Sequence, residues 1–472
     1  MGWNMQLVNK GVVKFDYQFP LYNFFFPSQS FNTFVPNETE LSQILAGANA
    51  QARSRALYFH VPFCEAICTF CPFTRGLYKD EQDIDRYTQA LIGEIEYKAR
   101  LVDLKAVPVR AVFFGGGTPS LLSAQNIRDI GKTLHRYFDM ATVEEFSFEF
   151  NITSVTEDRV KALAEIGVTH ARFGLQTVDP QWRELFNLDP DIGRIERAAA
   201  LLREHFDHVL CDIMYGMNGS SERQTLADID KAVELGLSNI DIYPINNAAT
   251  SVKLHKQIRA RFAEVMPAMR KLNMKFMINA HLRQQGYVPY NGHGYVRRHG
   301  ASAALITDDY SFIYHEHVYG YADHDLLGFG VGAISSVAGH VITNTPLREK
   351  YIKTMGAGQC LCQVSQHDPV LDAVKPLVLR LAYHGSVDKR LIDMQSMPKG
   401  LMARVQALID ADLVIEQGHH YRLTRLGWLW YSNIMFYLIP ESEQNILRQL
   451  VFERLDTPGR DITEDELIYA AG

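Results

Sequence analysis

Three cysteines fall within eight residues in YFHVPFCEAICTFCPF, as Cys64, Cys68 and Cys71 in the spacing C-x3-C-x2-C. Thiolates are soft ligands and suit iron–sulfur clusters or zinc. A [4Fe–4S] cluster takes four ligands, usually all cysteine, so a set of three leaves one iron open. Zinc has a complete set as well, because His60 stands four residues before Cys64 and would make a Cys3His site. Three buried free thiols are the remaining reading. Cys211, Cys360 and Cys362 lie far off in the chain. That uneven usage suits a metal site in a reducing compartment better than a secreted disulfide framework. Cys360 and Cys362 form C-x-C, and with Cys211 they are too few to ligate a second cluster.

A second motif, Phe113-Phe114-Gly115-Gly116-Gly117-Thr118-Pro119-Ser120, follows by about the span of one helix. Three glycines let the backbone approach a ligand closely and present its N–H and C=O groups. Glu149, Gln176 and Asp212 are polar positions near the ends of apolar runs. Each could bind a ligand, or could serve as a turn or capping residue. A histidine group follows: His281, His293, His299, His315, His317 and His324. In YHEHVYGY the alternation predicts a strand with His315 and His317 on one face. Paired imidazoles there could bind metal or act as catalytic acid and base. Satisfied polar residues along a groove are the plainer reading.

These side chains need elements to hold them. From residue 57 short β-branched or aromatic runs alternate with longer amphipathic stretches, as repeated βα units do. Strands are predicted near 57–61, 111–114, 145–150, 170–175, 208–213 and 239–243, with helices over 81–100, 123–137, 156–166 and 222–235. Ser123 and Thr156 are N-cap candidates. Six such units imply an α/β fold whose parallel sheet is open or curved as a partial (β/α)6 barrel. Cys64, Gly115, Glu149, Gln176 and Asp212 then fall at or just beyond successive strand ends. Barrels and open α/β sheets bind ligands on that side.

The flanks read differently. Residues 1–50 form an aromatic-rich extension (Phe15, Tyr17, Phe19, Tyr22, Phe24, Phe25, Phe26), expected to pack on the protein rather than to act as a substrate lid. The core spans 51–250, and 251–365 completes the barrel and its substrate cavity, with a glycine-punctuated turn and strand at 325–339. Residues 366–472 read as a winged-helix-like α+β domain: helices over 370–384 and 399–411, a hairpin turning at Gly418, and a last helix over 425–438. The stretch 399–411 offers only Lys399 and Arg404 against Asp410, too little for reading DNA.

At 472 residues the chain is long enough for two or three cores, and 47% apolar with 21% charged residues excludes disordered and collagen-like classes. No apolar run approaches the ~18 residues of a membrane span. MGWNMQLVNKGVVKF has neither a secretory signal nor a myristoylation pattern. A net charge of -7 argues against a protein built around nucleic acid, and the expected location is cytoplasmic.

Together the cysteine and glycine motifs resemble the radical S-adenosylmethionine (SAM) superfamily. FEFNITSVTEDRVKALAEIGVTHARFGLQTVDP (148–180), LCDIMYGMNGSSERQT (210–225), DLLGFGVGAISS (325–336) and RLTRLGWLWYSNIMFYL (422–438) are similar to the oxygen-independent coproporphyrinogen III oxidase family. That group also holds haem chaperones, anaerobic haem-degrading methyltransferases, and class C radical SAM methylases and cyclopropanases. The resemblance implies that Cys64, Cys68 and Cys71 hold a [4Fe–4S] cluster whose open iron is chelated by SAM. It implies that Gly115, Gly116, Gly117 and Thr118 contact the methionine end, and that Phe70 packs beside the adenine. Tyr58, Glu149, Gln176 and Asp212 fall on SAM-contacting positions. Also implied are cleavage of SAM to a 5′-deoxyadenosyl radical, an electron donor such as flavodoxin or ferredoxin, and a small-molecule substrate. Neither a nucleic-acid partner nor a membrane span is expected.

Two departures shape the functional expectation. Where the oxidases carry an extra cysteine two places after the cluster motif, this chain has Phe73. Where the family has an arginine that contacts the SAM carboxylate, it reads Phe186-Asn187-Leu188. Both point away from tetrapyrrole decarboxylation and toward methylation or cyclopropanation of a natural-product substrate. A second SAM would then sit by Tyr243 to Thr250. Coproporphyrinogen-type oxidative decarboxylation is the enzymatic rival, and a haem-binding chaperone the non-enzymatic one.

Overall fold

In the computed structural model the described residues are 6–8, 12–15, 26–27, 30–71, 73–245, 252–262, 266–297, 313–395 and 397–455. Six strands pair in parallel in chain order: β1 (Ser54–Val61), β2 (Val109–Gly116), β3 (Glu145–Phe150), β4 (His170–Gln176), β5 (His208–Tyr215) and β6 (Asn239–Pro244). A seventh, β7 (His324–Phe329), lies parallel to β1 on its other side, so the parallel run extends past the six expected units. Antiparallel strands continue the sheet at both ends, Gly294–Arg297 and Tyr287–Pro289 beyond β6, and Ile334–Val337, His340–Asn344, Cys362–Gln366 and Phe31–Phe34 beyond β7.

Helices Glu81–Leu101, Ala124–Tyr137, Glu157–Glu165 and Glu222–Glu234 occupy the expected places. Ser123 caps its helix by accepting from the Asn126 N–H. Thr156 makes no such bond, and Glu157 and Asp158 in the first turn complement the helix dipole instead.

Alternation along the strands separates two environments. Leu57, Phe59 and Val61, Val112 and Phe114, Phe146 and Phe148, Ala171 and Phe173, and Val209, Cys211 and Ile213 join one apolar core with the helices. Phe59 anchors it, stacked 4.5 Å from Phe114 and 5.0 Å from Phe329. Truncating a buried phenylalanine of this kind costs about 3–5 kcal/mol. The intervening positions, among them Tyr58, Phe113, Glu149, Arg172, Asp212 and Asp241, fall on the opposite face, where the sheet turns polar. The strands are therefore one-sided in their apolarity, and the ligand-type residues share the other side.

A second core belongs to the C-terminal region. It joins helices Lys399–Asp410 and Tyr431–Leu438 to a three-stranded antiparallel sheet of Ser386–Asp388, His420–Leu423 and Val414–Gln417. The expected hairpin turns at Gly418, with φ +59°. The expected helix 370–384 is Pro369–Lys375 followed by a π turn at Pro376–Arg380 and Leu381–His384, because Pro376 has no N–H for the regular ladder. The last expected helix breaks at Trp430, and a further one follows at Glu441–Leu455.

Phe15 and Phe26 pack into this second core, Phe15 lying 5.6 Å from the Trp430 ring. Tyr17, Phe19, Tyr22, Phe24 and Phe25 lie outside the described residues. Within the extension, Glu38–Gln51 is a helix closed by a capping box between Asn37 and Glu40. Among the described residues no helix is long and apolar enough to cross a membrane.

Candidate active site

Phe63–Cys64, just past β1, pairs with Gly76–Leu77 and closes the cysteine loop. Cys64 is buried, and Cys68 and Cys71 are half-buried. Burial pushes each thiol up, Cys68 to about 12, and Cys71 and Cys64 add to the rise at Cys68. Arg75 acts in the opposite sense on all three. The thiols thus resist ionising together until a cation neutralises them. Among the described residues no group of three or more His, Cys, Asp or Glu side chains is drawn together as a metal site. Thr118 Oγ1 donates to Cys64 Sγ at 3.8 Å and ties the two motifs.

The zinc alternative meets an obstacle. His60 Nε2 lies 2.8 Å from the Thr74 carbonyl, and Nδ1 lies 2.9 Å from the Tyr58 hydroxyl. A carbonyl only accepts, so Nε2 carries the proton and Nδ1 accepts from Tyr58. Both ring nitrogens are committed. The remaining donor set is three thiols, which fits a cluster with one open iron.

The glycine loop is held against this corner. The Gly117 N–H donates to the Val61 carbonyl at 2.8 Å, and a Cβ on Gly117 would come 2.6 Å from the Phe63 carbonyl oxygen. Gly116 adopts φ +110°, with the His60 ring 2.5 Å from where its Cβ would be. A side chain at Gly117 would push against the backbone that leads into Cys64, and one at Gly116 would displace the His60 ring. Glu149 accepts from the Gly116 N–H and reaches Gly115, where a Cβ would meet Glu149 Oε2 at 3.0 Å. Gln176 ends β4 in the left-handed region, φ +62°, with its amide folded over Gly174.

Beneath lies a group of charges that sequence reading captured only in part. Arg172 Nη2 donates to Asp241 Oδ2 at 2.6 Å and stands 3.5 Å from Asp212 Oδ1, while the Tyr290 hydroxyl donates to Asp241 Oδ1 at 2.7 Å. Burial raises Glu149 to about 7, against the pull of Arg172 and with a push from Asp212. Burial also raises Asp212 to about 6, opposed by Arg172 and assisted by Asp241. One guanidinium faces three carboxylates. Asp241 claims it, being wholly buried, whereas the Asp212 side chain keeps 30% exposure. The surplus of carboxylate suits a ligand bringing an ammonium or hydroxyl donors.

Asp212 does not end its strand, as β5 runs on to Tyr215, and a register shift after Asp212 lies level with Gln176. Arg172 and Asp241 were missed as site residues. A charge inside HARFGLQ or NIDIYP must find a partner when the strand is buried, and that was the available signal.

Phe70 packs 4.8 Å from Phe186 in an apolar pocket with Met214, Met217 and Ile245. Leu188 joins that pocket, and Asn187 Nδ2 donates to the Ile67 carbonyl, pinning the cysteine loop from the far side. Phe73 is 60% exposed.

The predicted histidine strand is a helix, Ile313–Val318, too short for its alternation to distinguish the two periodicities. His315 and His317 therefore face different surroundings. His315 stands 6.3 Å from His293 and 5.7 Å from Tyr383. His317 stacks on His324 at 4.8 Å and bonds to Ser54 Oγ and the Ile313 carbonyl. His293 lies 4.0 Å from Asp241, and His281 pairs with Asp230 on the surface. His299, and 246–250 of the expected second-SAM loop, lie outside the described residues.

Residues 58–232 match the Radical SAM superfamily. Anaerobilin synthase of Escherichia coli O157:H7 is 32% identical over 205 residues, 43% of this chain and 46% of that protein. Heme chaperone HemW of Lactococcus lactis is 27% identical over 208 residues, 44% of this chain and 53% of its own length. The chain thus spans about half the length of these two relatives. The oxygen-independent coproporphyrinogen III oxidase of a Synechocystis species is 27% identical over 332 residues, 68% of either chain. The solved coproporphyrinogen III oxidase of Escherichia coli, a radical SAM enzyme, superposes with a TM-score of 0.70, covering 85% of this chain and 93% of that one at 22% identity. This likeness shows a shared fold.

Proposed function

We propose, for a chain that belongs to the radical SAM superfamily and to its coproporphyrinogen III oxidase-like group, that it performs oxidative radical chemistry on a tetrapyrrole carrying carboxylate side chains. Cys64, Cys68 and Cys71 would hold a [4Fe–4S] cluster with SAM on its open iron. When reduced, for instance by a flavodoxin or ferredoxin, these cofactors supply SAM cleavage and removal of a hydrogen atom from carbon. The observation that carries this reading is the carboxylate surplus of Glu149 and Asp212 around Arg172, beside a loop of thiols alone. Asp212 and Glu149 would accept hydrogen bonds from the SAM ammonium and ribose. Arg172, fixed by Asp241, would hold Asp212 in place. Phe70 and its apolar pocket would take the adenine.

The substrate class follows from the relatives, whose names speak of a bilin, haem and coproporphyrinogen. They favour a tetrapyrrole over the small natural product expected from Phe73 and Leu188. Tyr243, His293, His315 and Tyr383 form an aromatic and imidazole wall beside Asp241 that would flank a flat substrate. Methyl transfer with a second SAM stays as a second reading, because Leu188 and Phe73 break the oxidase pattern at two motif positions.

Anaerobic reconstitution should load about four irons per chain, and Cys64→Ala, Cys68→Ala or Cys71→Ala should abolish loading. Stoichiometric zinc without iron uptake would refute the reading. With SAM, reductant, an electron acceptor for the substrate radical and coproporphyrinogen III, the expected products are methionine, 5′-deoxyadenosine, carbon dioxide and a vinyl group in place of each propionate that reacts. S-adenosylhomocysteine, with methyl label in the product, would establish the transfer reading instead.

A further inference from the structure

The segment that follows Cys71 carries large apolar side chains into solvent. Phe73 is 60% exposed and Leu77 55%, and Leu347 joins them at 61%. Leu347 is placed there by its two chain neighbours. Gly332 lies between Pro346 and Thr74, since a Cβ on it would stand 3.9 Å from Pro346 Cα and 3.7 Å from Thr74 Oγ1. On the other side, Arg348 Nη1 donates to the Leu77 carbonyl at 3.3 Å. Exposed apolar residues scattered singly need no explanation, whereas three gathered at one spot mark an interaction surface.

That spot lies on the thiol loop. Leu77 is the register partner of Cys64, about 4.8 Å away across one strand spacing. Phe73 stands two residues from Cys71, at most about 7 Å of backbone. Cys68 and Cys71 are themselves half-buried, so a cluster on these thiols would have its outer edge beneath this surface. The rim is basic. Arg75 Nη1 donates to the Phe73 carbonyl at 2.6 Å, and its charge reaches all three thiols. Lys79 is exposed beside it. The nearest acids are drawn inward: Asp80 caps helix Glu81–Leu101, and Asp83, 1% exposed, is shared by Arg86 and Arg348. An apolar centre with a basic rim fits an acidic partner that has an apolar edge of its own.

We propose that Phe73, Leu77 and Leu347 form the docking surface for the protein that reduces the cluster. The partner is a small acidic flavodoxin-type carrier, which sets the methyl-bearing edge of its flavin on Phe73 and its acidic flank on Arg75 and Lys79. The flavin is oxidised by one electron and the cluster reduced by one, and no proton moves between them. This rests on the cluster reading above and is independent of the substrate. It gives a role to Phe73, which stands where the oxidases carry a further cysteine. A patch of this size suits the brief encounters of electron transfer.

The test uses the reconstituted holoenzyme with an acidic flavodoxin as probe. Calorimetric titration at low salt reads binding. Formation of 5′-deoxyadenosine from SAM reads electron delivery, with dithionite as the small reductant in a parallel arm. Phe73→Ser and Leu347→Ser should each weaken flavodoxin binding about tenfold. Leu347 is the N-cap of helix Arg348–Gly356 and makes no capping bond, and serine is favoured there, so the fold is not at risk. Lys79→Glu should weaken binding comparably and flatten its dependence on salt. With dithionite all three variants should form 5′-deoxyadenosine as the parent does. Parental affinity for flavodoxin in all three would overturn the assignment. An equal loss with dithionite would also overturn it, by placing these side chains in the support of the cluster. So would a parent that turns over with dithionite and binds no flavodoxin. Absence of 5′-deoxyadenosine with either reductant would instead refute the cluster reading, and the assignment with it.

Discussion

Arg172 and Asp241 form a buried pair, 2.6 Å between Nη2 and Oδ2, on the polar face of the sheet. Because Asp241 has no exposure and a second bond from Tyr290, it is the carboxylate that neutralises Arg172. Asp212, at 3.5 Å and partly exposed, is left available to a ligand. The two acids therefore separate in role. Arg172→Met should cost about 3–5 kcal/mol in denaturant unfolding, since it strands Asp241 in the interior. Asp212→Asn should change stability by no more than about 1 kcal/mol and weaken SAM binding instead. A folded, iron-loaded Asp212→Asn chain that binds SAM like the parent would remove Asp212 from the site.

The glycine loop separates two possible roles, cradling a ligand and allowing close packing. At Gly117 the obstacle to a Cβ is backbone, the Phe63 carbonyl oxygen at 2.6 Å and Pro62 carbon at 2.8 Å, which cannot swing aside. Gly117→Ala should destabilise by about 1–3 kcal/mol and lower iron loading, because Phe63 leads directly into Cys64. Gly47, with open space around it, is the control. Equal iron content and melting temperature in Gly117→Ala and parent would show a loop free to adapt.

What the sequence made legible follows from periodicity. Strand positions from 57 to 243 and the helices between them repeat one apolar pattern, and repetition gave each assignment support from the next. The cysteine spacing, being local, was equally plain. Arg172, Asp241 and Tyr290 were not visible as a group, because the distances that join them cross from one strand or loop to another. The Asn37–Glu40 capping box was readable as a helix start, yet the aromatic run before it masked the change of element. The YHEHVYGY error has a different cause: six residues cannot separate a period of 2 from one of 3.6.

Glu145 gives a pH signature. It is 2% exposed, and its Oε2 accepts from the Ile313 N–H at 2.7 Å. Burial raises its pKa to about 8, against the backbone hydrogen bonds from Ile313 and Tyr314 and the attraction of Arg172. The folded chain keeps a proton that the unfolded chain releases, so Glu145 contributes stability fully below its unfolded value of about 4.3. That contribution is lost as pH climbs through 8, by at most about 1.4 kcal/mol per pH unit. Glu145→Gln keeps an acceptor for Ile313 and cannot titrate. Its melting temperature should therefore fall less between pH 6 and pH 8 than the parent's, and parallel curves would show that Glu145 is ionised in the fold.

His315 and His317, two residues apart on one short helix, should fail in opposite ways. His317 has both nitrogens in use: the Ile313 carbonyl, 2.9 Å from Nδ1, fixes the proton there, so Nε2 accepts from Ser54 at 3.0 Å. Burial and then His324 drive its pKa down to about 3, keeping it neutral. Removing that ring leaves a cavity and an unsatisfied hydroxyl, so His317→Ala should cost about 2–4 kcal/mol. Turnover per folded, loaded molecule should stay as in the parent. His315 instead stands among His293, Tyr319 and Tyr383, on the wall assigned to substrate. His315→Ala should retain iron, melting temperature within a few degrees and SAM cleavage, while product per SAM cleaved falls. Measuring 5′-deoxyadenosine and product together decides the matter. A His315→Ala chain with parental coupling, or a His317→Ala chain that is stable but uncoupled, would reverse the two assignments.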